Sequence, residues 1–403
     1  MLAPTIPHTA AARDRLRGVR VLFVLPSLGL GGAERQAFYF ARHLRHGEGA
    51  DVRLVGMARF DAMSRLLDQA GLPYEFFEMR HGYRNRLQQL LDLRRWISFV
   101  RARRAEIVLP YCMFQNILCG LTWRLSGARL CIWNQRDEGR SRLEPWIERL
   151  AVGQMPCFVS NSTHGATFVI DQLKVAPPRV HVVWNGIEVP DRQSGSWRTK
   201  LDLPTNTFLA CMVANLHGKK DHRTLISAWR QVVDRFPAEY DRPHLVLAGA
   251  DGDQSDALRR QVSDASLGDL VHFAGEVRDV GDLLSSVDLA VFSSFAEGIP
   301  NAVLEAMSHG RAVVATDYPG IREAVGPDTG WLTPPQDAEA LAAKILEAAL
   351  NPAERQRRGA AGRVRAVDHF GMERMTQGMT EILLSEWRRI GGGSLHTAKE
   401  YAQ

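Results

Sequence analysis

Glu297 and Glu305 are separated by seven residues in the stretch SSFAEGIPNAVLEAMSHG, Ser293 to Gly310. Glu297 falls in the loop after an apolar run, Pro300 suits the first turn of a helix, and Glu305 sits inside that helix. From Pro300 to Glu305 a helix rises about 7.5 Å, near the length of a diphosphate. Two carboxylates at that spacing can bracket a diphosphate lodged at the helix N-terminus, where free N–H groups attract anions. A carboxylate also accepts two hydrogen bonds from vicinal hydroxyls, which suits a sugar at Glu297 and a ribose at Glu305. Gly298, Ile299 and Asn301 would present backbone groups between them. The competing reading is an amphipathic helix with two solvated glutamates.

A second glycine-rich stretch, LPSLGLGGAERQ from Leu25 to Gln36, has the look of a strand end, a loop and a helix start. It does not match the dinucleotide fingerprint: Gly29 and Gly31 supply G-x-G, but position 34, where the third glycine belongs, is Glu34. Gly31 and Gly32 remain as candidates for ligand contact, because a backbone without side chains approaches an anion closely. A purely structural tight turn is the alternative. Glu34 in the first turn favours the helix dipole on either reading.

Such loops need strands and helices to hold them. Short β-branched runs alternate with amphipathic segments along the whole chain, the pattern of repeated βα units with parallel sheets. The first half offers strands in VRVLFVL, DVRLVGM, EIVLPY, ARLCIWN, CFVS and RVHVVW, and the second in FLACMVA, HLVLAGA, LVHFAG, DLAVFSS and AVVATD. Between the halves, Val189 to Thr207 brings Pro, Gly, Ser and charge together and is expected to be a linker. The expected organisation is α/β: a domain over 1–190, a second over 191–375, and a C-terminal helix with a polar tail over 376–403 that returns toward the first. Two such domains facing each other would share a central cleft beyond the carboxyl ends of their strands.

The 403 residues, 45% of them apolar, suit two domains rather than one core. The first residues lack an apolar signal region and no run is long enough to span a membrane, so the expectation is a cytoplasmic protein without a transmembrane helix. Five cysteines without CxxC or zinc-like spacing are expected to be reduced, and mostly buried. No metal site is expected. Residues 1–190 carry 26 Lys and Arg against 16 Asp and Glu, and the remainder 24 against 29, so a net +5 divides into +10 and −5. A basic first half suits an anionic surface or a phosphate-bearing partner. Nucleic acid is not expected, since no zinc-finger spacing, RNP-like motif or dense basic run is present. The segment from Arg84 to Glu106 places Arg94, Arg95, Arg101, Arg103 and Arg104 around a helical apolar pattern. Trp96 and Phe99 there leave two readings open, interfacial membrane contact or a helix packed on the sheet with a solvated basic face.

The paired glutamates, followed by AMSHGRAVVAT and PGIREAV, resemble the donor site of the family 4 retaining glycosyltransferases, which have the two-domain GT-B fold. The resemblance extends over nearly the whole chain through GGAERQAFYFARHL, FVSNSTHGATFVI, VVWNGIEV, VANLHGKKDHRTLISAW and HFAGEVRDVGDLLSSVDLAVFSS. It implies that Glu305 binds the ribose and Glu297 the transferred sugar, with Gly298, Ile299, Pro300 and Asn301 at the diphosphate. It places Lys220 at a phosphate, where a cation stabilises the leaving nucleoside diphosphate, and Val277 at the nucleobase. Asn215 stands where the family usually has an arginine, with Lys219 or Arg223 as possible substitutes. The family often has a histidine late in the first domain's sheet; here the region reads CIWNQRDEGR. Asn134, Gln135 and Arg136 are the substitutes, with Arg136 the catalytic candidate unless it pairs with Asp137 or Glu138.

By this resemblance the chain would be a retaining transferase without a tightly bound cofactor, its nucleotide-sugar a co-substrate, with UDP expected before GDP. The acceptor would be a glycan or a polyprenyl-diphosphate-linked sugar in exopolysaccharide or lipopolysaccharide synthesis. Two alternatives remain: a sugar-nucleotide epimerase, against which the paired glutamates argue, and a catalytically degenerate nucleotide-sugar-binding partner of another transferase.

Overall fold

A computed structural model describes residues 14–60, 62–79, 86–136, 144–190, 195–295 and 297–392. The expected polar tail beyond 392, the start of the basic helix at Arg84, the linker residues 191–194, and Asp137 and Glu138 lie outside the described residues. Two compact units divide the chain: Met1–Gly186 together with Met372–Gln403, and Ile187–Gly371.

The first unit alternates strands and helices in the order β1 (Arg20–Leu25), α1 (Gly32–His46), β2 (Asp51–Gly56), α2 (Ser64–Gln69), β3 (Tyr74–Phe76), α3 (Arg86–Ala102), β4 (Ile107–Pro110), α4 (Met113–Thr122), β5 (Leu130–Gln135), α5 (Pro145–Gln154), β6 (Cys157–Ser160), α6 (Thr163–Asp171) and β7 (Val180–Val182). All its strand pairs are parallel, in the order β3-β2-β1-β4-β5-β6-β7. Central strands covered on both faces must be apolar throughout, and β4, β5 and β6 are buried at every position. The short edge strand β3 was not expected.

The second unit runs through α7 (Trp197–Lys200), β8 (Leu209–Val213), α8 (His222–Arg235), β9 (His244–Ala248), α9 (Ser255–Asp264), β10 (Val271–Gly275), α10 (Val280–Ser286), β11 (Leu289–Phe292), α11 (Asn301–Ser308), β12 (Ala312–Thr316), α12 (Pro319–Ala324), β13 (Gly330–Thr333), α13 (Ala338–Leu350) and α14 (Pro352–Phe370). Its parallel sheet has the order β10-β9-β8-β11-β12-β13. Edge strand β13 was also unexpected. The expected linker is not wholly irregular, since α7 packs within it, and Arg198 is fixed by an ion pair to Asp288 at 2.6 Å.

The last helix, α15 (Met372–Arg389), belongs to the first unit. Met375, Met379, Leu383, Leu384 and Trp387 enter the apolar cluster that also contains Phe23, Phe40 and Leu44. Trp96 of α3 packs inward. It is 1% exposed, donates to Thr122 Oγ1 at 3.1 Å and stacks on Phe99. Those rings build the core, and around them Arg95 pairs with Asp92 and Arg103 with Glu75. All five cysteines are free thiols; Cys119, Cys131, Cys157 and Cys211 are buried. No helix among the described residues is long and apolar enough to cross a membrane.

Candidate functional site

An open parallel sheet binds ligands where the strand order reverses, beyond the carboxyl ends of the two central strands. In the second unit that point lies between β8 and β11, neighbours in the sheet that are distant in sequence. The loop after β8 ends at Lys220, and the loop after β11 runs from Ser293 to Pro300. Lys220 and Ser294 form an antiparallel bridge, and Asp221 N donates to Ser293 O at 3.0 Å. The topology thus brings together two loops that the sequence keeps apart.

Side chains complete the junction. Lys220 Nζ donates to Glu297 Oε1 and lies 4.8 Å from the centre of the Phe292 ring. Ser294 Oγ donates to the same carboxylate oxygen at 2.8 Å, and Ser294 N donates to Thr316 Oγ1 at 3.2 Å. Ser294 was not singled out in the sequence; its only signal was its place at the end of an apolar run. Both charges are mostly withdrawn from solvent, with side-chain exposures of 24% for Lys220 and 14% for Glu297.

Pro300 corrects the expected helix start by one position: with ψ 126° it is the N-cap, and α11 begins at Asn301. Glu305 is half-buried within α11. Gly298, Ile299, Pro300 and Asn301 are buried, so Ile299, at 3% exposure, serves the core with its side chain. The loop has a support that the sequence reading did not identify. A Cβ on Gly320, in α12, would lie 2.2 Å from the Gly298 carbonyl oxygen and 2.8 Å from that of Glu297. At its far end α11 stops at Gly310, whose φ of +69° suits a residue without Cβ.

His222, first residue of α8 and two positions beyond Lys220, is 1% exposed. Neither of its ring nitrogens makes a well-formed hydrogen bond, although the backbone at Ala214 and Lys220 lies near. Burial is the main force lowering its pKa to about 4, so the ring is neutral beside the lysine. Asp221 caps α8 by accepting from Thr224 N at 3.1 Å.

Asn215 Oδ1 accepts from Ala250 N at 3.0 Å, tying the loop after β8 to the loop after β9. Of its suggested substitutes, Lys219 is exposed, and Arg223 reaches Gln254 Oε1 at 3.0 Å on the surface. Val277 is half-buried between β10 and α10, at the edge-strand end of the sheet.

In the first unit the order reverses between β1 and β4. Gly31 and Gly32 follow β1 and are exposed, with Gly31 as N-cap of α1. The Glu34 carboxylate turns back on this helix start: a Cβ on Gly31 would lie 2.4 Å from Glu34 Oε2. Burial raises the Glu34 pKa, against the opposing pull of its own backbone N–H and of Ser27. After β4, Tyr111 is fully buried, and Arg136, which follows β5, lies with its guanidinium 4.5 Å from the centre of that ring. Asn134 donates through its amide nitrogen to the Pro110 and Ile132 carbonyls, its backbone N and O pair with the Asn116 amide, and its amide oxygen accepts from Arg136 at 3.4 Å. Gln135 is buried and accepts from Trp133 Nε1 at 2.8 Å. A separate cavity of about 380 Å³, lined by Arg20, Asp51, Arg53 and Arg103 among others, opens at the amino-terminal ends of β1 and β2, away from the ligand-binding edge.

Comparison with known proteins matches residues 193–365 to the model of glycosyl transferases group 1 and residues 30–190 to that of glycosyltransferase family 4. The lipopolysaccharide core biosynthesis glycosyltransferase LpsE of Rhizobium meliloti is 30% identical over 193 residues, covering 47% of this chain and 53% of that protein. A GDP-mannose-dependent phosphatidylinositol monomannoside mannosyltransferase of Corynebacterium glutamicum is 29% identical over 49% of this chain and 52% of its own. The chain spans about half the length of these bacterial relatives. Human alpha-1,3/1,6-mannosyltransferase ALG2 is 24% identical over 91% of this chain and 95% of that protein. Among solved structures, Anabaena HepE in complex with UDP-glucose aligns with a TM-score of 0.78 and 22% identity over 91% of this chain and 99% of that one, a likeness of fold.

Proposed function

The chain belongs to the glycosyltransferases of the GT-B fold, its two halves matching the family 4 and group 1 models, and from that premise we propose that it transfers a sugar from a nucleotide-sugar, UDP-linked before GDP-linked, to a hydroxyl of a glycan or lipid-linked acceptor. The reaction retains configuration at the anomeric carbon and serves exopolysaccharide or lipopolysaccharide synthesis. The first unit holds the acceptor and the second the donor. The observation that carries this reading is the junction of Lys220, Ser294 and Glu297 at the reversal point of the second sheet, beside the N-terminus of α11.

Glu297 accepts hydrogen bonds from the transferred sugar and Glu305 from the ribose, with Gly298 to Asn301 at the diphosphate and Val277 at the base. Asn215 shapes the phosphate side of the loop, and within the first unit Gly31 and Gly32 are the donor-binding candidates, through their backbone N–H groups. The acceptor oxygen bonds to the anomeric carbon as the bond to the diphosphate breaks, and the hydroxyl proton passes to a diphosphate oxygen. Lys220 and the helix start stabilise the charge that develops there, and Arg136 is the catalytic candidate within the first unit. The UDP-bound and UDP-glucose-bound HepE structures support the choice of donor at the level of fold. Peripheral contact with an anionic membrane is supported by the basic first half and by Leu90 and Leu91, which are 57% and 47% exposed on α3.

Calorimetric titration of the whole chain with UDP-, GDP-, ADP- and CMP-sugars, with Glu305→Ala as control, tests the reading. Selective binding that is lost in the variant is expected. Failure of the folded protein to bind any of them overturns the donor site, and binding without turnover on any acceptor favours the degenerate partner.

A further inference from the structure

The crossover helices α3, α4 and α5 cover one face of the first sheet, where Trp96, Ile117 and Ala151 join one apolar cluster with Leu22 and Val108. They lie side by side. Trp96 Nε1 of α3 reaches Thr122 Oγ1 of α4, and Gly120 of α4 approaches α5 so closely that a Cβ there would lie 3.0 Å from the Ala151 carbonyl oxygen. The outward side of this layer is apolar where it meets water. Leu90 and Leu91 on α3, Leu125 after α4, and Trp146 and Leu150 one helical turn apart on α5 are all exposed. Trp146, at 66%, is the most exposed large apolar side chain among the described residues. Single exposed leucines are ordinary on a protein surface, but five such side chains on three neighbouring helices mark an interaction face.

The charges on the same side indicate what covers it. Arg94 and Arg101 stand on the outer side of α3, Arg124 beside Leu125 and Arg149 beside Leu150, and all four are exposed. Arg101 donates to the Leu125 carbonyl at 2.6 Å, and the Arg124 guanidinium lies 5.0 Å from the centre of the Trp123 ring. Among the described residues no carboxylate pairs with any of the four. The acids of α3 and α5, Asp92 and Glu148, are buried, and Glu144 stands at the N-cap of α5. Unpaired cations interleaved with leucine and tryptophan match a surface that has apolar chains beneath anionic headgroups. The indole of Trp146 suits that boundary, with an apolar body and one N–H donor.

We propose that the outward side of α3, α4 and α5 is a docking face for an anionic lipid bilayer, with Trp146 and the leucines at the hydrocarbon boundary and the four arginines among the headgroup phosphates. The inference deepens the membrane contact of the function proposed above, and rests on that reading for its purpose, which is to bring a lipid-linked acceptor to the first unit. A crossover helix runs back along the strands it connects, so Leu90, Leu91 and Trp146, near the starts of α3 and α5, lie toward the carboxyl edge of the sheet. That is the edge at which open parallel sheets bind ligands.

The whole chain is mixed with phosphatidylcholine vesicles, with or without phosphatidylglycerol, and binding is read by co-flotation across a salt series. Binding to the anionic vesicles that weakens as salt rises, with little binding to the neutral ones, is expected. Trp146→Ala combined with Leu150→Ser should weaken it by about tenfold or more through lost apolar burial. Arg94→Gln combined with Arg149→Gln should weaken it by about twentyfold, each cation near an anionic surface being worth about fivefold. Melting temperatures should not change, because all four side chains are exposed. Arg65→Gln combined with Leu66→Ser, an exposed pair on α2, which packs on the opposite face of the sheet, is the control and should bind as the unaltered chain does. Absence of binding to anionic vesicles overturns the proposal, as does binding that survives both double substitutions or is equal for the two vesicle types at every salt concentration. Self-association without vesicle binding, measured by sedimentation velocity and lost in the Trp146 and Leu150 variant, also overturns it and assigns the face to a second copy of the chain. Nucleotide-sugar titration of the same variants should be unchanged, so that failure of the donor reading and failure of the docking face are seen separately.

Discussion

Lys220 donates to Glu297 across 77 positions of sequence, joining the two loops at which the second sheet reverses its order. This pair holds the carboxylate and the cation in place before any ligand arrives, and Ser294 fixes the same carboxylate oxygen from within its own loop. Their proposed roles differ, so their substitutions should separate. Glu297→Ala is expected to lower transfer by about 10²–10³-fold, the range for loss of a preorganised transition-state contact, while nucleotide affinity stays within a few-fold. Lys220→Ala should lower both. Steady-state kinetics and calorimetry on the same preparations check this, and equal loss of transfer and nucleotide binding in Glu297→Ala would contradict the sugar contact.

Gly320 is required by its neighbour's backbone. With a methyl group 2.2 Å from the Gly298 oxygen, either α12 or the loop from Glu297 to Asn301 must move. Gly320→Ala is expected to cost about 1–3 kcal/mol of stability, the usual range for overpacking, and to raise the KM for donor. Gly268→Ala, where a Cβ meets nothing within 4 Å, is the control and should change neither quantity. Thermal unfolding and donor titration read the two effects.

His222 makes the second unit sensitive to acid. Its pKa falls from 6.5 to about 4 on folding, chiefly by burial, so between those values the unfolded chain binds the extra proton. Stability from this group is complete above pH 6.5 and is lost as pH falls toward 4, by about 3 kcal/mol at 1.36 kcal/mol per unit. Burial also lowers the pKa of His244, to about 4, and of His272 and His309, which adds to the same slope. Melting temperatures from pH 7 to pH 4.5 should decline less steeply in His222→Leu than in the unaltered protein; equal slopes would refute the assignment.

Trp387 anchors the last helix in the core of the first unit, 4% exposed and with the Arg129 guanidinium 4.7 Å from its ring centre. Trp387→Ala is expected to destabilise that unit by about 3–5 kcal/mol. Two units need not unfold together, so the transition of the first should move while that of the second stays. Differential scanning calorimetry resolves the two.

The alternation of apolar runs with amphipathic segments was enough to place the central strands, because a parallel strand buried on both faces is largely apolar, as β4 is. Edge strands β3 and β13, three and four residues long, were not read as strands. The local arrangement of Glu297, Pro300 and Glu305 was legible because they share one loop and one helix, where spacing along the chain translates directly into spacing in space. Trp96 shows the limit of such reading: a helical pattern gives the ring's direction around the helix, but only the packing of Phe77, Phe99 and Thr122 decides that the direction is inward. The contacts of Ser294 with Glu297, Gly320 with Gly298, and Arg136 with Tyr111 were invisible for a related reason. The sequence by itself determined the elements and the chemistry available on each loop; the order of strands in the sheets, which follows from burying both faces of each, decided which distant loops meet.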